Sequence, residues 1–597
     1  MNILNPKSLI DRLGPSRREI QSRSDCRRCK LSSVRCLVYV VLSLWPLTAT
    51  AQRQPVMSEH GMVVSVHELG SQAGVEILKK GGNAVDAAIA TGFALTVVYP
   101  SAGSMAGGGF MLIHRAADNR QIGIDYRETA PAAAHRDMYL AEDGSVMTEL
   151  GSSRMGWRAS GVPGTVDAFA RAFEKYGSGR VTWAEIIEPA RRLAEAHGLT
   201  QAAVELFQGA APMLSRFDES RRVLLNNGAG WRAGDVWRQP ELAATLARLQ
   251  AHGPREFYEG ETARRIASAM QENDGTLTLE DLKGYRAIER EPLRYSYRGH
   301  EIIGMPPPSS GAITMFQMLA MIEPFDVRGL GHNSAAKHHL FAEVMRRAFR
   351  DRIEYIGDPA FVSVPIAEML DRDYLAGRMR DFDPARATPS AGLAPGLGLR
   401  ESLETTHFSV VDAEGNAVSN TYTLRNSFGS GVTIPGTGIL MNNVMDDLAA
   451  KVGVPNMHGL MQGAANAIEP GKRALSSQTP AMVFKDGQLL LVTGSPGGPT
   501  IINTVFQIIT NVIDFAMPVM QAVEAPRIHH QWLPDELVHE PFGLSADTAA
   551  LLRAKGHKLT ERARYQGQAE TIMIDHVTGF KLGASDPRHA DATAIGH

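Results

Sequence analysis

The sequence predicts a mixed α/β (α+β) fold. Helix-period and strand-period stretches alternate from about Val63 onward. Residues 407–424 read as two strands joined by a tight turn. A short apolar strand at 489–493 runs through glycines into an apolar helix at 500–515. The chain has 597 residues, more than the about 100–200 of one ordinary domain, and no long Pro/Ser-rich linker divides it. Hydrophobic residues make up 44% and charged residues 21%, a globular composition. A net charge of -3 points away from nucleic acid and from polybasic membrane binding.

Residues 1–51 stand apart. Arg17, Arg18, Arg23, Arg27, Arg28, Lys30 and Arg35 form a basic stretch, and an apolar run follows at 37–47. Ala49-Thr50-Ala51 then offers a small-x-small cleavage site before Gln52. The run is shorter than the about 20 residues of a membrane span. We read an export leader, which leaves a periplasmic or extracellular chain with no stable membrane span. Cys26, Cys29 and Cys36 all fall in this leader, so the exported product needs no disulfides and the Cys26/Cys29 pair is no metal or redox site.

Residues 71–99 are rich in Ala, Ile, Leu and Val, broken at Gly81-Gly82-Asn83; this pattern predicts two buried helices. The glycine-rich loop 101–109 enters a strand at 110–114. No Gly-Lys-Ser/Thr follows, so the glycines mark close backbone approach rather than a phosphate cradle. Amphipathic helices are predicted at 182–195, 240–251 and 334–355. The helix 500–515 carries Asn503, Gln507, Asn511 and Asp514 on one side, which suits a core helix and not a membrane span. Residues 385–400, with Pro389, Gly392, Pro395, Gly396 and Gly398, predict a mobile linker just upstream of Thr405.

Thr405 opens the hairpin. In mid-chain a threonine is a weak nucleophile, because no base need stand beside it. Cleavage of the Glu404–Thr405 bond would give Thr405 an α-amino group, which titrates at about 7.7–8.0. Nucleophile and base then belong to one residue. Cleavage by Thr405 itself is an attack on the Glu404 carbonyl, an N-to-O acyl shift and hydrolysis of the ester. The products are residues 52–404, a large subunit, and 405–597, a small subunit.

Several segments carry a resemblance. They are Thr405-Thr406-His407-Phe408-Ser409-Val410-Val411-Asp412, Asn442-Asn443-Val444-Met445-Asp446-Asp447 and Gly471-Lys472-Arg473-Ala474-Leu475-Ser476-Ser477. Thr493-Gly494-Ser495-Pro496-Gly497-Gly498, Ala525-Pro526-Arg527-Ile528-His529-His530 and Gly583-Ala584-Ser585-Asp586-Pro587-Arg588 follow in order. Over nearly its whole exported length the chain resembles the γ-glutamyltranspeptidase (glutathione hydrolase) family of N-terminal nucleophile hydrolases. The resemblance implies a four-layer αββα sandwich formed jointly by two chains after self-cleavage. It implies a γ-glutamyl hydrolase/transferase acting on glutathione and related donors, with water or an amino acid or dipeptide as acceptor and no cofactor or metal.

The resemblance also assigns residues. Thr405 is the nucleophile and Thr423 the threonine that supports it. Gly497 and Gly498 form the oxyanion hole, where two N–H groups meet one developing charge. Arg127 grips the donor α-carboxylate as a bidentate partner, with Ser476 and Ser477 bonding the same group. Asp447 receives the α-ammonium. His407, His529 and His530 fit no metal motif, and the last two read as structural.

Three positions depart from the family pattern. Arg425 stands where Asn or Glu is usual, and Val444 where Gln or Glu is usual. His458, in the lid region 450–463, replaces a tyrosine; we expect a looser gate favouring water. Arg425 would repel an ammonium unless it points away or pairs with Asp447. Two alternatives follow: a glutaryl-type or poly-γ-glutamate acylase on the same scaffold, or an unprocessed protein that binds γ-glutamyl compounds.

Overall fold

The computed structural model describes residues 53–393, 405–451, 463–562 and 565–597. The leader, Glu404 and His458 lie outside the described residues. Two seven-stranded sheets dominate. The first runs Thr593–Gly596, Met62–Ser65, Thr406–Val411, Ala417–Thr423, Gly108–Arg115, Arg120–Asp125, Ile288–Arg290. The second runs Val56–Ser58, Lys581–Ala584, Thr571–Ile574, Gln488–Thr493, Ala481–Lys485, His300–Gly304, Leu293–Tyr297.

Strand alternation sets the layers. In the first sheet Met62, Val64, Phe110, Leu112, Val411 and Ala417 face the second sheet, meeting Ile303, Met482, Val492 and Ile572. Their neighbours Val63, Met111, Ile113, Val410 and Val418 face the other way, onto helical residues such as Ile77, Phe93 and Ile186. In the second sheet Ile302, Val483 and Leu491 pack on Phe316, Phe341 and Phe506. Helices therefore cover both outer faces, which is the αββα sandwich. Strands buried on both sides explain why Thr406–Val411 is buried throughout.

The expected helices form. Glu68–Lys79 and Ala84–Val98 flank the Gly81–Gly82 break, and Asn83 caps the second with a reciprocal Asp86 bond. Trp183–Glu195, Pro240–His252 and Ala335–Tyr355 follow, two of them capped by Thr182 and Ser334. Thr500–Ile513 is buried almost throughout, and its polar residues bond inward: Gln507 spans to the Asn503 and Ile528 carbonyls, and Asn503 meets His529. His529 and His530 are buried there, as expected of structural residues. No helix among the described residues is long and apolar enough to cross a membrane.

The linker differs from expectation in its first part. Residues 385–393 are tied down. The Ala387 N–H donates to the Lys555 carbonyl at 2.7 Å, the Ser390 N–H donates to Asp535 at 2.7 Å, and Trp532 donates to the Ser390 carbonyl at 2.9 Å. Arg346 and Arg347, held by the buried Glu343, reach Ser390 and Thr388. Proline and glycine content signalled irregular backbone, which is not the same as loose backbone. Residues 394–404 lie outside the described residues.

Candidate active site

The Thr406–Val411 and Ala417–Thr423 strands pair antiparallel, with Thr406 opposite Tyr422. The turn between them uses Gly415 at φ 87 and a clasp of Asp412 on the Asn416 N–H at 2.9 Å. Thr405 and Thr423 therefore stand at the same end of the hairpin. The glycine-rich segment is packed against that end: Gly108 pairs opposite Thr423, and a Cβ on Gly107 would lie 2.2 Å from the Thr423 carbonyl oxygen. Close backbone approach, not phosphate binding, is what those glycines provide.

The Gln488–Thr493 strand leaves the second sheet at the same end. The Gly494 backbone passes so close to the His407 ring that a Cβ would lie 2.3 Å from it. His407 is fully buried between the Thr421 and Ser409 hydroxyls, and burial depresses its pKa to about 3, so the ring is neutral. Gly497 and Gly498 then adopt φ 127 and φ 58, values that disfavour a side chain, before the helix Thr500–Ile513 begins. Thr500 locks the turn by donating its hydroxyl to the Gly497 carbonyl at 2.7 Å. The positive end of that helix dipole lies beside the turn.

A cavity of about 270 Å³ is lined by Thr405, Thr423, Gly498, Arg127, Arg425, Asp447, Ser476, Ser477, Gln478 and Ile501. Residues as far apart in the chain as Arg127 and Ile501 thus meet in one place, and Gly497 adjoins it. Arg127 follows the Arg120–Asp125 strand, and Asp125 fixes its N–H at 3.0 Å. Its guanidinium donates to Asp447 Oδ2 at 2.7 Å and to Glu128 Oε2 at 3.3 Å. Arg425 donates from Nε to Asp447 Oδ1 at 2.8 Å and pairs through Nη2 with Asp446 at 2.7 Å. Of the two alternatives for Arg425, the structure takes the pairing. Removing one partner of such a buried pair costs about 3–5 kcal/mol.

Burial works to raise the Asp447 carboxyl, but the Arg425 and Arg127 guanidiniums outweigh it and hold it below the usual range. Burial raises Asp446, only partly offset by Arg425. Glu128 is fully buried, and burial pushes its carboxyl up to about 7 despite Arg127. Val444 lies in an apolar cluster with Tyr139, Met445 and Leu448, and is not among the cavity-lining residues.

Two contributors escaped the sequence reading. Arg352, on Ala335–Tyr355, donates to the Ser477 hydroxyl at 2.9 Å and to Ser310 at 2.7 Å, and so holds Ser477 in place. A charged residue on a mostly buried helix was its only signal. Glu128 lay in plain view beside Arg127, but nothing in the sequence announced its burial. A separate buried group, His339, Glu343 and His557, has metal-like spacing. Its carboxylate is already taken by Arg346 and Arg347, which suits an ion-pair core rather than a cation.

The sequence profile of the family described as gamma-glutamyltranspeptidase matches residues 70–596. The glutathione hydrolase proenzyme of Escherichia coli (strain K12) is 45% identical over 546 residues, 91% of this chain and 93% of that protein. The acylase ACY 1 proenzyme of Pseudomonas sp. (strain V22) is 37% identical, covering 92% of this chain and 95% of its own length. Among solved structures, the cephalosporin acylase from Bacillus halodurans superposes with a TM-score of 0.79 at 27% identity, over 92% of this chain and 97% of that one. Profile, relatives and layered sheets agree: the chain belongs to the γ-glutamyltranspeptidase family, whose members are threonine N-terminal nucleophile hydrolases.

Proposed function

We propose that this chain is an exported, self-processing γ-glutamyl hydrolase/transferase, with glutathione and related amides as donors. The observation that carries the reading is the meeting of Thr405, Thr423 and Gly498 with Arg127, Asp447, Ser476 and Ser477 in one cavity. Cleavage at Glu404–Thr405 frees the Thr405 amine and yields paired subunits of residues 52–404 and 405–597. The Thr405 hydroxyl attacks the γ-carbonyl and passes its proton to its own α-amine. The Gly497 and Gly498 N–H groups receive the oxyanion, aided by the helix that follows. The expelled amine takes the proton back, leaving a γ-glutamyl ester on Thr405. Water or an amino acid or dipeptide then resolves the ester.

Thr423 accepts the Arg425 N–H at 2.8 Å, which fixes its hydroxyl at the Thr405 end of the hairpin. The leader supports a periplasmic or extracellular destination. The test is to add γ-glutamyl-p-nitroanilide to purified protein and quench in acid. The reading expects nitroaniline release and a γ-glutamyl mass increment on the peptide that begins at Thr405. Nitroaniline release with the increment on another residue would contradict it.

A further inference from the structure

We propose that Gln478 is a donor-recognition residue of this cavity, its side-chain carbonyl accepting a proton of the donor α-ammonium beside Asp447. The inference rests on the acyl-transfer reading above and adds a specificity-determining residue to that same site.

An α-ammonium is a multiple N–H donor and needs more than one acceptor. Asp447 is the carboxylate that lines the cavity, and each of its oxygens already takes a bond: Oδ1 from Arg425 Nε at 2.8 Å, Oδ2 from Arg127 Nη2 at 2.7 Å. A carboxylate oxygen accepts more than one bond, so Asp447 still meets the ammonium, but two guanidiniums share it. Those guanidiniums only donate. Val444 lies in the apolar cluster around Tyr139. The lining hydroxyls are otherwise engaged. Thr405 is the nucleophile, and Thr423 accepts the Arg425 N–H at 2.8 Å. Ser476 accepts the Gln478 N–H at 3.2 Å, and Ser477 accepts from Arg352 at 2.9 Å.

Gln478 also lines the cavity. It is 2% exposed, and neither Oε1 nor Nε2 has a hydrogen-bond partner among the described residues. A buried amide is costly unless its atoms are bonded, so a ligand that supplies the missing partner gains what the empty site forgoes. The backbone here is already fixed. The Ser309 hydroxyl donates to the Gln478 carbonyl at 2.8 Å, and the Thr479 hydroxyl donates to the Ser477 carbonyl at 2.8 Å. The amide is thus the one unclaimed part of a held segment. Gln478 directly follows Ser476 and Ser477, the residues assigned to the donor α-carboxylate, and the α-ammonium shares its carbon with that carboxylate. An acceptor at this place makes the cavity favour donors that carry the ammonium over those that lack it.

The test measures γ-L-glutamyl-p-nitroanilide hydrolysis by purified wild type, Gln478→Met and Gln478→Glu, with L-glutamate and glutarate as competing inhibitors. Methionine is of similar length and has no carbonyl in its side chain. Gln478→Met is expected to raise donor KM and the L-glutamate inhibition constant by about fivefold or more, with kcat retained. The glutarate constant should stay within about twofold, because glutarate has no ammonium to lose a partner. Gln478→Glu keeps an acceptor oxygen and loses the amide donor, and should hold KM within about threefold of wild type. A smaller rise in Gln478→Met, a fall in kcat in place of it, or an equal loss of glutarate overturns the proposal. If Gln478→Met does not fold, Gln478→Glu decides: KM within about threefold of wild type sustains the proposal, and a larger rise overturns it. Failure of the underlying reading looks different: wild type itself releases no nitroaniline.

Discussion

At the Thr405 end of the cavity, position comes from backbone; at the Asp447 end, it comes from charge. Thr405 and Thr423 are placed by hairpin register, and Gly497 and Gly498 by φ angles that exclude a side chain. Arg127, Arg425, Asp446 and Asp447 are placed by one another, with the buried Glu128 alongside. The first kind of construction has one solution, because a one-residue slip turns every side chain over. The second can be rearranged by exchanging single residues while the sheets stay put. That difference lets one scaffold keep its acyl-transfer chemistry while the group it recognises changes.

The comparison can be broken most severely at the nucleophile. Thr405→Ala should leave one uncut chain and lower γ-glutamyl anilide hydrolysis roughly 10⁴-fold or more, read by gel and by steady-state rate. Next is the backbone itself. Gly497→Ala forces a side chain onto φ 127 and to within 2.5 Å of Thr500 Oγ1. We expect kcat to fall about 10²–10³-fold with donor KM little changed, the signature of a lost oxyanion contact. A fall in donor affinity alone would move those glycines to the recognition end.

The charge end should respond in KM instead. Arg352→Met frees the Ser477 hydroxyl, and donor KM should rise about tenfold with kcat retained. The smallest effect concerns Glu128, whose pKa near 7 exceeds its unfolded value. Its ionised form competes with a donor carboxylate for the Arg127 guanidinium; its protonated form does not. Donor KM should therefore rise severalfold as pH climbs through about 7, and Glu128→Gln should flatten that step in a KM–pH profile. The sign for stability is the same. The raised pKa stabilises the fold below about pH 4.5, and that contribution is lost as pH rises through about 7.

These two ends also differ in how far the sequence disclosed them. The hairpin, the Gly81–Gly82 break and the helix at 500 were legible because period and turn chemistry are local. Thr405, Thr423 and the two glycines sit at the ends of those elements, so their meeting followed from the fold. The sequence left Arg425 either pointing away or pairing with Asp447, and its second contact, with Asp446, was not legible. A guanidinium's direction depends on partners 21 and 22 residues away and on a left-handed φ that no arginine advertises. The direction Val444 takes is equally non-local: its side chain turns into the Tyr139 cluster. The anchored stretch at 385–393 was missed because its holders, Glu343, Arg346 and Arg347, belong to a distant helix.

The most direct test of the central claim is the intact mass of the purified wild-type protein under denaturing conditions. The account predicts a fragment that begins at Thr405 and ends at His597, absent from Thr405→Ala. A single uncut chain that still hydrolyses γ-glutamyl anilide would contradict it, because Thr405 would then have no α-amino group to serve as its base.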